Sequence, residues 1–354
     1  MDGNGTVGWL KKIRGSVSAQ LTLLVLFLLV VVISSTGMGY IAIPFGTVVK
    51  VITAKLFAQG QWAPGGDAVI PTVIMDVRLP RILTAAVVGG GLAVSGAVFQ
   101  GILLNPLADP YTLGISAGAA FGAAIAILLN LGAHFCSIPL FAFVGAVATL
   151  FFVIYLSATG GGLSSNNLIL SGIIVAAILS AGISFLKYVA DEEVSVIIFW
   201  LMGSFAAKTW LDVGVVLLFV TIGFAVFLFY ARDLNLMSLG SRMAGSLGVD
   251  TRRVTLILLV AASMVAAACV SVSGIIGFVG LLVPHMMRFF TGPDNRKLIP
   301  VSLLAGAILL LVADTVTRAV LPREIPIGVL TALIGGPFFC WVFRRSRMKR
   351  GGAL

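Results

Sequence analysis

Twenty-three consecutive residues, from Ile82 to Leu104, carry no charged side chain. At about 1.5 Å rise per residue, a helix of this length crosses a hydrocarbon core of roughly 30 Å. In lipid, small residues let a neighbouring helix approach closely without breaking the helix that carries them. The run contains five glycines: Gly89, Gly90, Gly91, Gly96 and Gly101. We therefore expect a membrane-spanning helix against which other helices pack.

The composition indicates a polytopic membrane protein. Of the 354 residues, 59% are hydrophobic and only 10% are charged, whereas about a quarter of the residues of an ordinary soluble domain are charged. The net charge of +10 could suggest nucleic-acid binding. However, the basic residues lie mostly at the ends of apolar runs, where the positive-inside rule accounts for them. We expect no nucleic-acid partner.

The apolar runs predict an all-α fold with about ten transmembrane helices in a single domain, residues 1–354. The polar segment 40–77 is too broken to cross a membrane and is expected outside, with an amphipathic helix on the membrane surface. The ten runs cover roughly residues 21–33, 82–104, 111–131, 135–158, 168–189, 211–230, 254–273, 275–290, 299–319 and 325–343.

Both ends of the chain are basic, which places both of them in the cytoplasm. No A-x-A cleavage site follows the first apolar run, so we interpret that run as a retained span. Two cytoplasmic ends require an even number of spans. The stretch 254–290 is barely long enough for two spans, and this parity leads us to predict two, joined by a tight turn at Ser273 and Gly274.

Few residues of this chain could carry chemistry. It has no G-x-x-x-x-G-K-[ST] loop for nucleotide phosphates, no H-E-x-x-H and no aspartate-rich metal motif. We therefore expect no catalytic residue, no metal and no cofactor in the chain. Two alternatives stay open from the residues alone. One is a carrier driven by an ion gradient, against which the scarcity of ionisable residues in the spans speaks. The other is an intramembrane enzyme, for which we find no converging polar residues.

Several motifs occur in the order found in one family of membrane proteins. The chain resembles the permease subunits of binding-protein-dependent ABC importers for iron-siderophore complexes, haem and vitamin B12, the FecCD type of iron-complex permease. The resemblance covers most of residues 78–340. The shared motifs are RLPR at 78–81, S-G-A-x-x-Q at 95–100, NPLA-P at 105–110, LMGSF at 201–205, LGV at 247–249, GIIGFVGL at 274–281, PH at 284–285, AD at 313–314 and IPIG at 325–328.

The resemblance implies a permease in a prokaryotic plasma (inner) membrane. Such a permease pairs with a second copy of itself, binds two ATP-binding subunits on the cytoplasmic side and receives a solute-binding protein on the outer side. Its cargo would be a bulky metal chelate, an iron-siderophore complex or haem, with vitamin B12 as the alternative. We expect the substrate route between the two copies, lined by spans two and five.

The largest internal loop, residues 231–253, resembles the coupling helices through which such permeases contact their ATPases. The alternative is a loop that merely joins two spans. Leu247 and Gly248 are the strongest candidates for coupling. The full candidate set is Arg242, Ala244, Gly245, Leu247, Gly248 and Val249.

Three arginines near the outer ends of two spans are candidates for docking of the solute-binding protein: Arg78, Arg81 and Arg318. The resemblance implies that arginines at these positions receive acidic side chains of that protein, and arginine-carboxylate pairing suits such docking. The alternative for Arg78 and Arg81 is that they extend to the membrane interface. For Arg318 a second alternative is a pair with Asp314, four residues earlier on the same helix.

Overall fold

The computed structural model describes residues 17–39, 41–57, 69–131, 137–158, 164–320 and 324–351. Every regular element in these ranges is helical, as the sequence predicts. We number the helices in chain order: α1 Val17–Gly37, α2 Phe45–Phe57, α3 Val69–Ile102, α4 Ile115–Leu128, α5 Ser137–Ser157, α6 Ser165–Val189, α7 Val194–Leu201, α8 Trp210–Phe229, α9 Ala231–Met237, α10 Ser241–Ser246, α11 Thr251–Ser273, α12 Val279–Thr291, α13 Asn295–Ala319 and α14 Ile327–Gly351.

Four of the long helices begin at a residue whose side chain accepts a hydrogen bond from the first turn. Such N-caps satisfy backbone N–H groups that have no partner within the helix. In α8 the cap is reciprocal, because Asp212 also accepts a hydrogen bond from the backbone N–H of Thr209. The four capping residues are Ser164, Thr209, Asp250 and Asp294. Local sequence thus fixes where these helices start.

Each predicted span corresponds to a helix in the described part of the chain, but the helices differ in length. Seven are long and apolar enough to cross a membrane: α1, α3, α5, α6, α8, α11 and α13. α4 has 14 residues and α12 has 13, so at about 1.5 Å per residue each rises only about 20 Å. α11 ends at Ser273 as predicted, but residues 274–277 continue as a non-helical segment where we expected a tight turn.

Three interruptions of the helical bundle meet at one place, which we call the helix-break junction: residues 202–204 after α7, 273–277 after α11 and 325–328 around the start of α14. Irregular backbone at membrane depth is tolerated only where its polar groups find partners. Here the interruptions satisfy one another. Three hydrogen bonds run from a backbone N–H of one segment to a carbonyl of another: Ser204 to Ser273, Ile327 to Gly203 and Gly328 to Met202.

α3 lies at the centre of the bundle, and 89% of its most apolar stretch is buried. Two of its glycines lie directly against glycines of neighbouring helices. A Cβ atom at Gly89 would collide with the carbonyl of Gly306 in α13, and one at Gly96 with the carbonyl of Gly280 in α12. This confirms the prediction that the glycines of this span allow other helices to approach closely.

α3 starts at Val69, well before the predicted beginning of the span at Ile82. The sequence predicted a start at Ile82 because the run without charged residues begins directly after Arg81. In the structure, residues Val73–Arg78 form a π-helical turn in which the N–H of Leu79 donates to the carbonyl of Ile74, five residues earlier. The wider turn accommodates Pro80, which has no N–H and whose ring conflicts with the normal α-helical carbonyl.

The buried position of α3 corrects the expected route lining. We predicted that spans two and five, which are α3 and α6, face the substrate. α3 is enclosed by its own chain and offers little surface to a second copy. α6 differs, because only 22% of its most apolar stretch is buried. Its exposed apolar side chains include Leu170, Ile173, Ile174 and Ile178.

Candidate functional site

Arg81 in α3 forms ion pairs with two carboxylates from the other end of the sequence. Its Nη2 lies 2.9 Å from Oδ1 of Asp314 in α13, and its Nε donates to both oxygens of that carboxylate at 3.1 and 3.2 Å. Its Nη1 lies 3.3 Å from both oxygens of Glu324. The side chain of Asp314 is 1% exposed and that of Glu324 is 53% exposed. Arg81 therefore has one deeply buried partner and one partner at the surface.

Arg78 and Arg318 bind the backbone at the end of α1. Nη1 of Arg78 donates to the carbonyl of Thr36 at 2.8 Å, and its Nη2 donates to the carbonyl of Ile41. Nη2 of Arg318 donates to the carbonyl of Ser35 at 2.8 Å, and its Nη1 donates to Met38. The last carbonyls of a helix have no partner within it, and cationic side chains stabilise that end. Both arginines thus act as caps for α1.

The structure brings the three predicted docking arginines together, with Asp314 and Glu324 beside them. We call these five residues the arginine cluster. Arg78 and Arg318 are buried, and only 13% of the Arg81 side chain is exposed. The docking role itself stays a prediction, because these contacts all lie within one chain. The alternative that Arg78 and Arg81 extend to the membrane interface does not fit their positions either, because both side chains point into the protein.

Asp314 has two arginine partners. The alternative pairing with Arg318, four residues later on the same helix, is present, with Nε of Arg318 4.0 Å from the carboxylate. Arg81 is closer, with its Nη2 at 2.9 Å, although Arg81 and Asp314 are 233 positions apart. The sequence indicated only the longer contact, because it reveals neighbours on the same helix and not residues that approach from another one.

At the opposite end of the bundle, α9 and α10 form the loop 231–253. α9 is tied to the start of α13 through Asn235, whose side chain donates to Asp294 at 2.6 Å and accepts from the N–H of Asn295 at 2.8 Å. The side chain of Arg296 also donates to Asp294, and this contact, helped by Asn235, holds the pKa of that carboxyl below its usual range. α13 therefore links this loop to the arginine cluster at its other end.

Three exposed apolar side chains lie in or beside α10. Met243 is within the helix, Leu239 comes just before its N-terminal cap Gly240, and Leu247 is its C-terminal cap. Leu239, Met243 and Leu247 are 63, 55 and 55% exposed. Ala244 is fully buried and fixes α10 to the bundle. The exposure identifies Leu239 and Met243 as further candidates, although the sequence interpretation chose only Leu247 among the three.

The other candidate coupling residues lie between or next to these apolar residues in the sequence. Arg242 and Gly245 are exposed, and Val249 is half-buried with its N–H donating to the carbonyl of Ala244 at 3.1 Å. Gly248 has φ of +89°, a backbone conformation that glycine adopts readily and other residues rarely adopt. Glycine at position 248 is therefore required by the backbone turn at the end of α10, whether or not a partner binds there.

The two sites lie on opposite sides of the bundle. α3 runs from Arg81 in the arginine cluster to Gly101, where an added Cβ atom would lie 2.9 Å from the side chain of Leu234 in α9. These twenty residues correspond to about 30 Å, the thickness of a hydrocarbon core. The loop end carries Arg232, Arg242, Arg252, Arg253, Arg296 and Lys297. The positive-inside rule predicts that this end faces the cytoplasm.

Comparison with known proteins agrees with this arrangement. Residues 26–345 match the FecCD transport family. The chain is 45% identical over 277 residues to the cobalamin import system permease protein BtuC of Halobacterium salinarum, covering 78% of this chain and 74% of the relative. It is 37% identical over 351 residues to the hemin transport system permease protein HmuU of Yersinia pestis, covering 96% of this chain and 100% of the relative.

A solved structure of a metal-chelate type ABC transporter in an inward-facing conformation is also similar. Its TM-score is 0.79 at 34% identity, and the match covers 93% of this chain and 99% of that one. The alternative of an ion-gradient carrier is not favoured by these relationships. The chain belongs to the FecCD transport family and is a multi-pass membrane permease subunit of an ABC importer.

Proposed function

We propose that this permease imports a bulky metal chelate, an iron-siderophore complex or haem, with vitamin B12 as the alternative cargo. The relatives named for cobalamin and hemin support this class of substrate. ATP is hydrolysed by two separate ATP-binding subunits, and this chain contributes the path through the membrane. Binding and hydrolysis of ATP then shift the permease between outward-open and inward-open states, because the nucleotide binds these states differently.

The observation that carries the ATPase contact is the group of exposed apolar side chains in and beside α10, at the basic end of the bundle. Exposed apolar side chains on a short helix and its flanking residues suit binding in a groove of a partner protein. Leu239, Met243 and Leu247 are the side chains we assign to that groove. The hydrogen bonds between Asn235 and the residues that start α13 carry displacement of this loop into the transmembrane helices.

We further propose that two copies of the chain form the transporter in a prokaryotic inner membrane, with both termini in the cytoplasm. The exposed apolar face of α6 supports a contact with, or a route beside, the second copy. A solute-binding protein docks on the outer side at the arginine cluster. The basic loop end of the bundle supports this orientation.

Reconstitution tests the proposal. The permease is purified with its ATP-binding subunits, placed in proteoliposomes and supplied with a solute-binding protein loaded with ferric siderophore, haem or cobalamin. We expect uptake of one of these that requires ATP and a functional ATPase. Uptake driven by an ion gradient without ATP would contradict the proposal, and uptake of cobalamin alone would select the alternative cargo.

A further inference from the structure

Each of the three guanidinium nitrogens of Arg81 donates to a carboxylate of its own chain. Nε and Nη2 face Asp314, which is almost completely buried, and Nη1 faces Glu324, which is half exposed. An external acid cannot reach the first two groups without displacing Asp314 from the interior. It can reach Nη1 if Glu324 alone swings away.

The other two arginines of the cluster offer less. Nη1 and Nη2 of Arg78 and of Arg318 bind carbonyls at the end of α1, and both side chains are at most 8% exposed. An external carboxylate could reach them only by releasing α1. The burial and the number of backbone contacts therefore single out Arg81 as the arginine within reach of a partner.

A recess beside Glu324 provides room for an incoming side chain. It has a volume of about 200 Å³ and is lined by Arg81, Asp314 and Glu324 together with Phe199, Ser204 and Phe205. A water molecule occupies about 30 Å³ in the liquid, so this space accommodates one carboxylate-bearing side chain. The cluster contains three guanidinium groups and two carboxylates, so one positive charge is uncompensated.

We propose that Glu324 is an internal substitute for the partner's carboxylate. In the free permease it occupies the outward N–H of Arg81, and on docking an acidic side chain of the solute-binding protein takes its place. This rests on the proposed docking at the arginine cluster and deepens it, because it names the contact that exchanges. Glu324 thereby weakens docking by competition and keeps the site from binding acidic surfaces indiscriminately.

The contact between Arg81 and Glu324 is of the exposed kind, which shifts an equilibrium by about two- to fivefold. Removing the competing charge therefore strengthens docking by a similar factor. Glu324→Gln keeps the size of the side chain and removes its charge. Glu324→Asp keeps the charge but shortens the reach toward Arg81, so it provides a second variant with a smaller gain.

The experiment measures the Kd of the purified solute-binding protein of the same transport system for the permease in nanodiscs, at low and high salt. Glu192→Gln is the matched control, because it removes one exposed acid that makes no ion pair with Arg81. We expect Glu324→Gln to tighten binding about two- to fivefold at low salt, with a smaller gain at high salt. Glu192→Gln should change binding less than Glu324→Gln.

A third variant separates this inference from the docking proposal on which it rests. Arg81→Lys keeps a positive charge beside Asp314, but a single ammonium cannot hold two carboxylates as a guanidinium does. We expect weaker docking, and no further gain when Glu324→Gln is added. Weaker docking in Arg81→Lys without tighter docking in Glu324→Gln would overturn the substitute role of Glu324 and leave docking at Arg81 intact. Unchanged binding in both would overturn docking at Arg81 itself. Equal tightening in Glu192→Gln would show a general charge effect and also overturn the inference.

Discussion

Asp109 shows how a buried carboxylate can serve local structure at a cost in free energy. Its side chain is 7% exposed and accepts a hydrogen bond from the N–H of Thr112 at 3.0 Å, which caps the short 3-10 turn Pro110–Leu113. Burial raises the pKa of the carboxyl to about 6, although hydrogen bonds from Thr112 and Tyr111 oppose the shift.

This raised pKa predicts how Asp109→Asn changes stability. The folded-state pKa lies above the unfolded value, so the contribution of Asp109 is fully present below about pH 4 and is lost as the pH rises through about 6. Asparagine keeps the capping oxygen and carries no charge. We expect the variant to be more stable than the native permease by about 1–3 kcal/mol at pH 7.5, with the difference shrinking at pH 5.

Thermal unfolding in detergent at the two pH values measures this difference. Asp250→Asn is the control, because Asp250 is an exposed cap that accepts from the N–H of Arg253 at 3.1 Å. The effect of Asp250→Asn at pH 7.5 should be smaller than that of Asp109→Asn, because the Asp250 carboxylate is in contact with solvent. A native protein more stable than Asp109→Asn at pH 7.5 would contradict the prediction.

At the arginine cluster, the sequence predicted which residues belong together but not what they touch. Arg78, Arg81 and Arg318 were grouped through the family resemblance, and the structure places them side by side. Arg81 could not be predicted as the closer partner of Asp314, since a sequence reveals only neighbours on the same helix. The contacts of Arg78 and Arg318 are to backbone carbonyls, which carry no residue-type signal at all.

At the scale of a helix, α10 offers two glycines that differ in what a substitution would test. Gly245 lies in the helix with nothing within 4 Å of an added Cβ, whereas Gly248 has φ of +89°. A side chain at Gly248 would strain the backbone whatever binds there. A loss of function in such a variant could therefore come from misfolding or from a weaker ATPase contact. Gly245 separates the two effects.

We expect Gly245→Trp to insert and dimerise normally but to lose its ATPase subunits, because a large side chain prevents close approach of a groove. A tenfold lower recovery of the subunits in co-purification corresponds to about 1.4 kcal/mol. Gly214→Trp is the control, since Gly214 in α8 is also helical and exposed with no atom within 4 Å of an added Cβ. Normal recovery of the ATPase with Gly245→Trp would remove α10 from the coupling surface.

Helix existence could be predicted in this chain, whereas helix interruptions could not. The sequence gives residues 274–277 the same apolar character as a span, yet the chain there is not helical. In a soluble protein such a segment would show polar residues. Here a distant polar partner serves the segment, because the hydroxyl of Tyr111, 165 positions away, donates to the carbonyl of Ile276 at 2.7 Å. The hydroxyl of Ser273 donates to the carbonyl of Gly274 at 3.0 Å. The segment itself therefore carries no polar side chain that would reveal the interruption.

The sequence also did not show which of the spans are buried within the protein. α1 and α3 are both strongly apolar, yet 6% of the apolar stretch of α1 and 89% of that of α3 are buried in the protein. Lipid tails are as apolar as a protein core, so hydropathy does not distinguish the two surroundings. The glycines of α3 were the useful signal, and they did predict a helix surrounded by others.

The orientation of the whole molecule can be tested by labelling single cysteines after replacement of Cys136, Cys269 and Cys340. Ser241 in the loop 231–253 and Glu192 before α7 are both exposed and lie on the sides predicted to be inside and outside. We expect Ser241→Cys to react with an impermeant maleimide only in opened membranes and Glu192→Cys to react in intact cells. The reverse pattern would overturn the proposed topology.

The capping of α1 by Arg78 and Arg318 also has a consequence for biogenesis. α1 is synthesised long before α13, yet Arg318 of α13 donates to the carbonyl of Ser35 in α1, 283 positions earlier. Because the chain enters the membrane in the order of its synthesis, α1 stays in the bilayer without its Arg318 contacts until α13 has been translated. A nascent chain that stops short of α13 therefore lacks two of the hydrogen bonds that cap the end of α1.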